Sequence, residues 1–429
     1  MEVMKWWRHS ESIVQVGFLS PAHLRWLNGR PLSHPLRSNA GGCVSQRWNR
    51  SRTLCPAGPQ CWPESHHKSA SWVTWRAAGA RGFGKLVRKA NARTSSVTVS
   101  DDAHTMRFYD YLRTASFPKV ALTEILLSEG GERIRGVVAT APIAAGEIIC
   151  SIPLELAVSL GTEGDDPSLP AVTLMQMLQD EKRAREYEAY FAVLPEEPAC
   201  RITTDYYSEQ ELAGLWHPPT VEETQRRLAR VRHTFRSAVW KGDADVDDEE
   251  LLRDPTARDA FAQFQRCVYL IVSRTLSVRR RYDTRRFLIP LVDMVNCDIY
   301  SKNEMRYESQ RDAFELVAGQ AILPGEQVTL VYGGGALAND RFVQDYGFVV
   351  PDNPADRLLF MPQATGGSRS HPSASLSEAE FRNEVARRCE EVLALAERET
   401  TAVSKRVEVF NGQLLRTARD MLKRVRPGQ

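Results

Sequence analysis

Short β-rich stretches, which are continuously apolar in residues 287–292 and alternate between apolar and polar residues in 328–332, occur in two parts of the chain that lie far apart in sequence. The first part contains residues 133–139 and 141–149, and the second contains residues 287–292 and 328–332. A period of two predicts strands, and the glycine-containing turn between the first two runs predicts a β-hairpin. Within residues 328–332 the alternation places Tyr332 on the same face as the apolar residues.

A similar pattern of apolar run and turn recurs in the second part. Pro324 and Gly325 suit the two central positions of a type II turn, because proline presets φ and glycine tolerates positive φ. The recurrence has two interpretations. It reflects common turn chemistry at unrelated places, or it marks two parts of one small β-fold that an insertion separates.

Between the two β-rich parts, from about residue 168 to 278, the apolar residues follow a helical period. Ser208 and Glu211 have the spacing of a helix N-terminal capping box. One apolar stripe consists of Phe261, Phe264, Val268 and Ile271. We expect most of these apolar residues to form core packing.

Two further helices are predicted near the C-terminus. Ser377 with Glu380 is again typical of a capping box. The helix that follows would bury Phe381, Val385, Cys389, Val392 and Leu395, and the last helix would bury Val403, Val407, Phe410 and Leu414.

The charge is distributed unevenly along the chain. Residues 1–100 contain fifteen lysines and arginines but three acidic residues, so they carry +12; the whole chain carries +2, so the remainder carries −10. This leader is rich in Arg, Ser, Gly and Pro and has no sustained period, so we expect it to be disordered. It resembles an organelle transit peptide, or it reflects a true start near Met106. A nucleic-acid-binding arm is the less favoured alternative.

Cysteine spacing and hydropathy exclude several other classes. None of the eight cysteines has a C-x-x-C neighbour, so the sequence predicts no metal site and a reduced compartment. No apolar run approaches the roughly 18–20 residues that a membrane-spanning helix requires.

Four segments, in this order, resemble the SET domain of protein methyltransferases: residues 135–139, 273–275, 290–296, and 325–348 with its Tyr332, Asn339 and Tyr346. The similarity is greatest to the branch of Rubisco large-subunit methyltransferase and the actin-histidine methyltransferase, and it covers roughly residues 119–360. It implies an α+β fold: a SET-type β-fold of short strands with a pseudoknot, a helical insertion at about 168–278, and a C-terminal helical region. The implied divisions are the leader 1–103, the SET domain 104–348, and a shortened substrate-binding-like helical region 349–429.

The resemblance also implies S-adenosylmethionine as cofactor. The family usually has His where this chain has Cys297, and a backbone contact to the adenine survives that exchange. The family's first cofactor loop reads Glu-Gly-(aromatic or Leu)-Gly, and of these residues this chain keeps only the last glycine. The implied cofactor-binding residues are Arg133, Ile134, Arg135, Gly136, Asn296 and Cys297.

By the same resemblance Tyr332 is the catalytic residue, and the substrate-binding residues are Arg274, Asp293, Tyr307 and Tyr346. Methyl transfer to an amine needs alignment of nitrogen, methyl and sulfur rather than a metal. The amine must be neutral, and a narrow apolar channel lowers the pKa of lysine from its usual value of about 10.4. Aromatic walls also attract the cationic form. A tyrosinate base is less favoured, because tyrosine titrates near about 10.

These expectations define a protein-lysine N-methyltransferase that acts on a non-histone protein. Histidine methylation is one alternative, and an inactive SET-fold binding module is another. The expected partner is a protein that presents a lysine or histidine side chain; we expect a monomer, with no membrane or nucleic-acid partner. The location is intracellular: a plastid or other organelle if the leader is a transit peptide, and otherwise the cytoplasm or nucleus.

Overall fold

The computed structural model describes residues 99–126, 133–162, 164, 166–240, 251–279, 284–362, 377–398 and 404–426. Residues 99–103 are the described part of the basic leader, so the expectations for residues 1–98 lie outside the described residues.

Within the described residues, the strands form three sheets in the orders β1-β2-β10-β7, β3-β9-β8 and β4-β6-β5. The pairings are antiparallel except that of β7 with β10, which is parallel. The strands are β1 Val120–Leu126, β2 Arg133–Ala139, β3 Ile148–Pro153, β4 Val158–Thr162, β5 Leu276–Arg279, β6 Thr284–Leu288, β7 Asn296–Cys297, β8 Glu304–Glu308, β9 Ala313–Val317 and β10 Gln327–Leu330.

Helices lie before β1, between β4 and β5, and after β10. The α-helices are α1 Ala103–Tyr111, α2 Ser168–Gln179, α3 Glu181–Glu186, α4 Glu188–Phe191, α5 Glu197–Cys200, α6 Glu209–Ala213, α7 Pro218–Thr234, α8 Pro255–Arg274, α9 Asn339–Arg341, α10 Glu378–Arg398 and α11 Lys405–Val425. Short 3₁₀ turns cover Leu154–Leu156, Thr204–Tyr206, Val292–Met294, Tyr332–Gly335 and Pro354–Phe360, and π-helical turns cover Phe235–Val239 and Phe342–Tyr346.

The predicted hairpin between residues 133–139 and 141–149 was wrong. β2 pairs along its whole length with β1, and β3 pairs with β9 in a different sheet. Alternation identifies strands but not their partners, and β1, with Val120 and Leu122 buried, is the adjacent strand that completes the hairpin.

The two distant β-rich parts do form one unit. Gln327 and Val328 of β10 pair with Val138 and Val137 of β2, and Ile143 forms a bridge with Ile322. The interpretation of one β-fold separated by an insertion is therefore confirmed.

The same tight turn occurs in both parts. The Glu147 amide donates to the Ala144 carbonyl at 3.1 Å, and the Glu326 amide donates to the Leu323 carbonyl at 3.0 Å. In each turn the glutamate carboxylate also accepts a hydrogen bond from the backbone N–H of the first residue. Ala144 donates to Glu147 at 2.9 Å, and Leu323 donates to Glu326 at 2.8 Å. The first turn directly precedes β3, and the second directly precedes β10.

Both predicted capping boxes are present, at Ser208 with Glu211 and at Ser377 with Glu380. One apolar core joins the sheets to α2 and α8, and a second joins α10 and α11 to residues near α6. The two predicted C-terminal helices are confirmed; they bury Val385, Cys389, Val392, Val407, Phe410 and Leu414. Of the other residues predicted to be buried, Phe381 is half-buried, Leu395 is exposed, and Val403 lies outside the described residues. Among the described residues, no helix combines the length and the apolar character that crossing a membrane demands.

Candidate active site

Tyr332 follows β10 at the point where the backbone turns sharply. Gly333, Gly334 and Gly335 have φ values of 58°, 63° and 79°, a run of left-handed conformations that glycine adopts without steric cost. The Tyr332 side chain is buried, and its hydroxyl donates to the Val295 carbonyl at 2.8 Å. Burial raises the pKa of Tyr332, so the hydroxyl stays protonated.

Tyr346 packs against Tyr332, with ring centroids 4.9 Å apart. It ends the π-helical turn Phe342–Tyr346, and such turns often occur at functional sites. Phe342 and Phe348 lie at centroid distances of 5.9 Å and 6.1 Å from the Tyr346 ring. The structure thus places two of the predicted site residues in one aromatic group.

Asp293 lies in the turn Val292–Met294, directly before the carbonyl that receives the Tyr332 hydroxyl bond. Leu291, which precedes this turn, is buried and has a φ of 69°. A non-glycine residue rarely adopts that conformation, and buried strain of this kind costs about 1–3 kcal/mol. The surrounding packing therefore holds Asp293 in a position that an unconstrained chain would not favour.

The Asp293 carboxylate joins two elements of the helical insertion. Its Oδ2 atom accepts from the Tyr190 hydroxyl at 2.8 Å and lies 3.9 Å from Nη1 of Arg274. The same Nη1 atom donates to the Asp293 backbone carbonyl at 2.8 Å. Burial raises the pKa of Asp293 to about 6, although Arg274 and the Tyr190 hydrogen bond oppose the shift.

Two buried polar atoms of this group remain unsatisfied. Asp293 Oδ1 and Arg274 Nε have no hydrogen-bond partner among the described residues. Unpaired buried polar atoms are costly, so a carboxylate oxygen left in this way is suited to receive a cationic or donor group from a ligand. We name Tyr190, Arg274, Asp293, Tyr332 and Tyr346 the pocket cluster.

Tyr307 lies on β8, in a different sheet from the strand that precedes Tyr332. Its ring packs on Phe314 at 5.4 Å, and its hydroxyl donates to Asp312 in the same hairpin. These contacts are with the hairpin and do not join it to the pocket cluster. Its predicted role in substrate binding stays a prediction.

The two predicted cofactor segments lie side by side. The side-chain amide of Asn296 donates hydrogen bonds to the backbone carbonyl of Arg135 at 3.1 Å and to the side-chain oxygen of Gln327 at 2.8 Å. A Cβ atom at Gly136 would lie 2.7 Å from the Asn296 amide nitrogen and 2.4 Å from Ile125, so only glycine permits this close approach. The side chain of Arg133 is outside the described structure.

The exposed edge of this junction is mostly neutral. Ile134, Asn296 and Cys297 are half-buried, and burial raises the pKa of Cys297 to about 11, so its thiol is uncharged at neutral pH. An edge with amide, backbone and apolar groups fits an adenosyl group. Arg135 is exposed, and its guanidinium donates to the Val193 carbonyl at 2.5 Å. No group of three or more metal-ligating side chains occurs in the described part of the chain.

Sequence reasoning missed two buried networks. The role of the Tyr190 hydroxyl was not foreseen, because its partner Asp293 lies 103 residues away. The buried carboxylate of Asp356, which accepts from Asn339 and Gln413, was also missed. Buried tyrosine and aspartate near predicted site residues are the available signal, but neither pairing follows from a periodic pattern.

Part of the chain is similar to a known protein family. Residues 134–333 match the family model described as the SET domain. This segment, slightly less than half of the chain, is thus similar to SET domains, and the predicted α+β fold of SET type is confirmed.

One curated relative is the ribosomal lysine N-methyltransferase set10 of Schizosaccharomyces pombe. It is 24% identical over 236 residues, which make up 52% of this chain and 41% of the relative. The chain thus matches less than half of the relative's length.

Two solved structures of Rubisco LSMT are also similar. The complex with AdoMet is 17% identical with a TM-score of 0.47, and the comparison covers 76% of this chain and 91% of that one. The SET domain of LSMT bound to MeLysine and AdoHcy is 17% identical with a TM-score of 0.49. This comparison covers 76% of this chain and 92% of that one. Values this low carry no information about a substrate.

Proposed function

We propose that the protein is an S-adenosylmethionine-dependent protein-lysine N-methyltransferase that acts on a non-histone protein. The SET-domain match supports the reaction, and the relative named as a ribosomal lysine methyltransferase supports lysine and a non-histone protein. The observation that carries the proposal is the buried hydroxyl of Tyr332, fixed beside Tyr346 and close to the junction of β2 and β7.

The cofactor supplies a methyl group on a positively charged sulfur. Asn296, Cys297 and the backbone of residues 133–136 would hold it at the junction of β2 and β7. The Tyr332 hydroxyl donates a hydrogen bond to the Val295 carbonyl, so its oxygen can act as an acceptor towards another group. That oxygen can orient a methyl group through weak C–H···O contacts. A tyrosinate base is disfavoured, because burial raises the pKa of Tyr332.

The pocket cluster also suits a lysine side chain. The rings of Tyr332 and Tyr346 attract the cationic head group, and burial between them favours the neutral amine that reacts. Asp293 is ionised above a pKa of about 6, so at neutral pH its unpaired Oδ1 can receive the ammonium group on arrival. The site can therefore bind the cationic form and favour the neutral form at the reacting position.

Methyl labelling of a cell lysate tests the proposal. The purified protein and S-adenosylmethionine carrying an isotopically labelled methyl group are incubated with the lysate, and mass spectrometry identifies the modified residue. We expect label on lysine of a non-histone protein, with no such label in a reaction without the protein. Label confined to histidine would contradict the lysine assignment in favour of histidine methylation.

Calorimetric titration with S-adenosylmethionine separates an enzyme from an inactive binding module. The altered segment Arg133–Ile134–Arg135 and the exchange at Cys297 motivate this second candidate. We expect saturable binding together with methyl transfer. Absence of binding heat and of thermal stabilisation at millimolar cofactor would exclude the enzymatic function.

A further inference from the structure

One hydroxyl from the helical insertion reaches the pocket cluster. Tyr190 lies in α4, is fully buried, and donates to Asp293 Oδ2 at 2.8 Å. Its ring packs against Phe108, Tyr111 and Phe191 at centroid distances of 6.0, 6.5 and 5.7 Å. A ring held by aromatic neighbours has little rotational freedom, so its hydroxyl occupies a fixed position.

This hydrogen bond distinguishes the two oxygens of Asp293. Oδ2 is engaged by Tyr190 and lies nearest to Arg274, whereas Oδ1 has no partner among the described residues. A carboxylate held by one oxygen presents the other in a defined direction.

We propose that Tyr190 is a positioning residue for methyl transfer, whose hydroxyl fixes the orientation and charge of Asp293 so that Oδ1 receives the cationic group of the substrate. This inference rests on the proposed function for the identity of the substrate. By this inference the helical insertion influences the reaction site through Tyr190. Helix α1 contributes through Phe108 and Tyr111, which pack against the Tyr190 ring.

The charges around Asp293 agree with this role. The titratable and charged groups that face it are Arg274 from α8, Tyr190 from α4 and Tyr332 from the turn after β10. Burial raises the pKa of Tyr190 well above its ordinary value, so it remains a donor throughout the accessible pH range. Its hydrogen bond favours the ionised carboxylate and thereby lowers the pKa of Asp293, against the effect of burial.

The substitution Tyr190→Phe removes this hydroxyl and keeps the ring. A matched control is Tyr111→Phe, which removes a hydroxyl of the same aromatic group that donates to the Leu156 carbonyl at 2.8 Å. For both variants and the wild type, we measure the pH dependence of kcat/KM for methyl transfer and of the thermal midpoint between pH 5 and 8.

For Tyr190→Phe we expect the acidic limb of kcat/KM to move up by about one pH unit, equivalent to about 1.4 kcal/mol, because the lost hydrogen bond favours the ionised carboxylate of Asp293. The loss of thermal midpoint should be larger at pH 8 than at pH 5. Tyr111→Phe should leave the limb in place and lower the midpoint equally at both pH values.

The inference would be overturned if Tyr190→Phe left the acidic limb of kcat/KM in place and lowered the thermal midpoint equally at pH 5 and pH 8. It would also be overturned if the acidic limb moved by the same amount in Tyr190→Phe and Tyr111→Phe. The midpoint comparison does not depend on catalysis. If the wild type transferred no methyl group, the proposed function would fail, while the midpoints would still decide whether Tyr190 controls the charge of Asp293.

Discussion

Two buried aspartates, Asp293 and Asp356, have nearly the same burial but different partners. They are 5% and 1% exposed, and burial raises the pKa of each to about 6. The Asp356 carboxylate accepts hydrogen bonds from the backbone N–H and from the side-chain amide of Asn339, both at 2.7 Å, and from the side-chain amide of Gln413 at 3.2 Å. Asp293 accepts one side-chain hydrogen bond and keeps Oδ1 unpaired within the described structure.

The difference separates a carboxylate whose hydrogen bonds are complete within the fold from one that can still accept a donor. Asp356 links α9 to α11, and each of its oxygens has a donor, so its interactions are complete within the fold. Asp293 occupies a strained turn beside Tyr332 and has an oxygen that the fold does not satisfy. A raised pKa alone does not distinguish the two; the hydrogen-bond partners do.

The largest expected effect is on stability at Asp356. Asp356→Ala leaves buried donors of Asn339 and Gln413 without an acceptor, so we expect the free energy of unfolding to fall by about 3–4 kcal/mol. Urea denaturation measures the change. The control Asp420→Ala removes a half-exposed carboxylate that pairs with Arg424, and it should cost less than about 1 kcal/mol. A stable Asp356→Ala protein with impaired methyl transfer would reverse the assignment of the two aspartates.

The next effect is on catalysis at Asp293. Asp293→Asn keeps the size of the side chain but removes the charge that receives the substrate cation, which should cost about 2 kcal/mol, or about 30-fold in kcat/KM. Steady-state kinetics at pH 8 measure the change, with cofactor affinity as the control. Wild-type kcat/KM in this variant would show that Asp293 is as structural as Asp356.

A smaller effect concerns pH and stability. Because burial raises the pKa of Asp293 to about 6, the folded protein holds a proton that the unfolded chain releases at about pH 4. This contribution to stability is complete below about pH 4 and is lost as the pH rises to about 6. Asp293→Asn removes it, whereas Asp356 still titrates in both proteins. Between pH 4.5 and 7 the free energy of unfolding of the wild type should therefore fall relative to that of Asp293→Asn. If the difference between the two proteins stayed constant over this range, the pKa of Asp293 would not be raised.

The smallest effect is expected at Cys297. If the chain contacts the cofactor here through its backbone, Cys297→Ser should change the dissociation constant for S-adenosylmethionine by less than about threefold. Calorimetry measures this constant. A loss above about tenfold, equivalent to about 1.4 kcal/mol, would indicate that the thiol itself contacts the cofactor.

Sequence patterns predicted the elements better than their partners. Alternation placed Tyr332 on a buried face, and the capping spacing of Ser377 and Glu380 located α10. Partner choice depends on long-range packing, so the pairing of β2 with β1 was missed. The bond from Tyr190 to Asp293 could not be foreseen, since it joins segments that periodicity treats separately.

The proposed function requires that Tyr332 contributes to methyl transfer rather than to folding or cofactor binding. Its most direct test is the single-turnover rate of methyl transfer for Tyr332→Phe at saturating S-adenosylmethionine, with the cofactor dissociation constant measured on the same preparation. We expect the rate to fall by about tenfold, because C–H···O contacts contribute about 0.5–1 kcal/mol each and about 1.4 kcal/mol corresponds to a factor of ten, and we expect the dissociation constant to stay within about threefold. An unchanged rate with unchanged cofactor binding would show that Tyr332 does not contribute to methyl transfer.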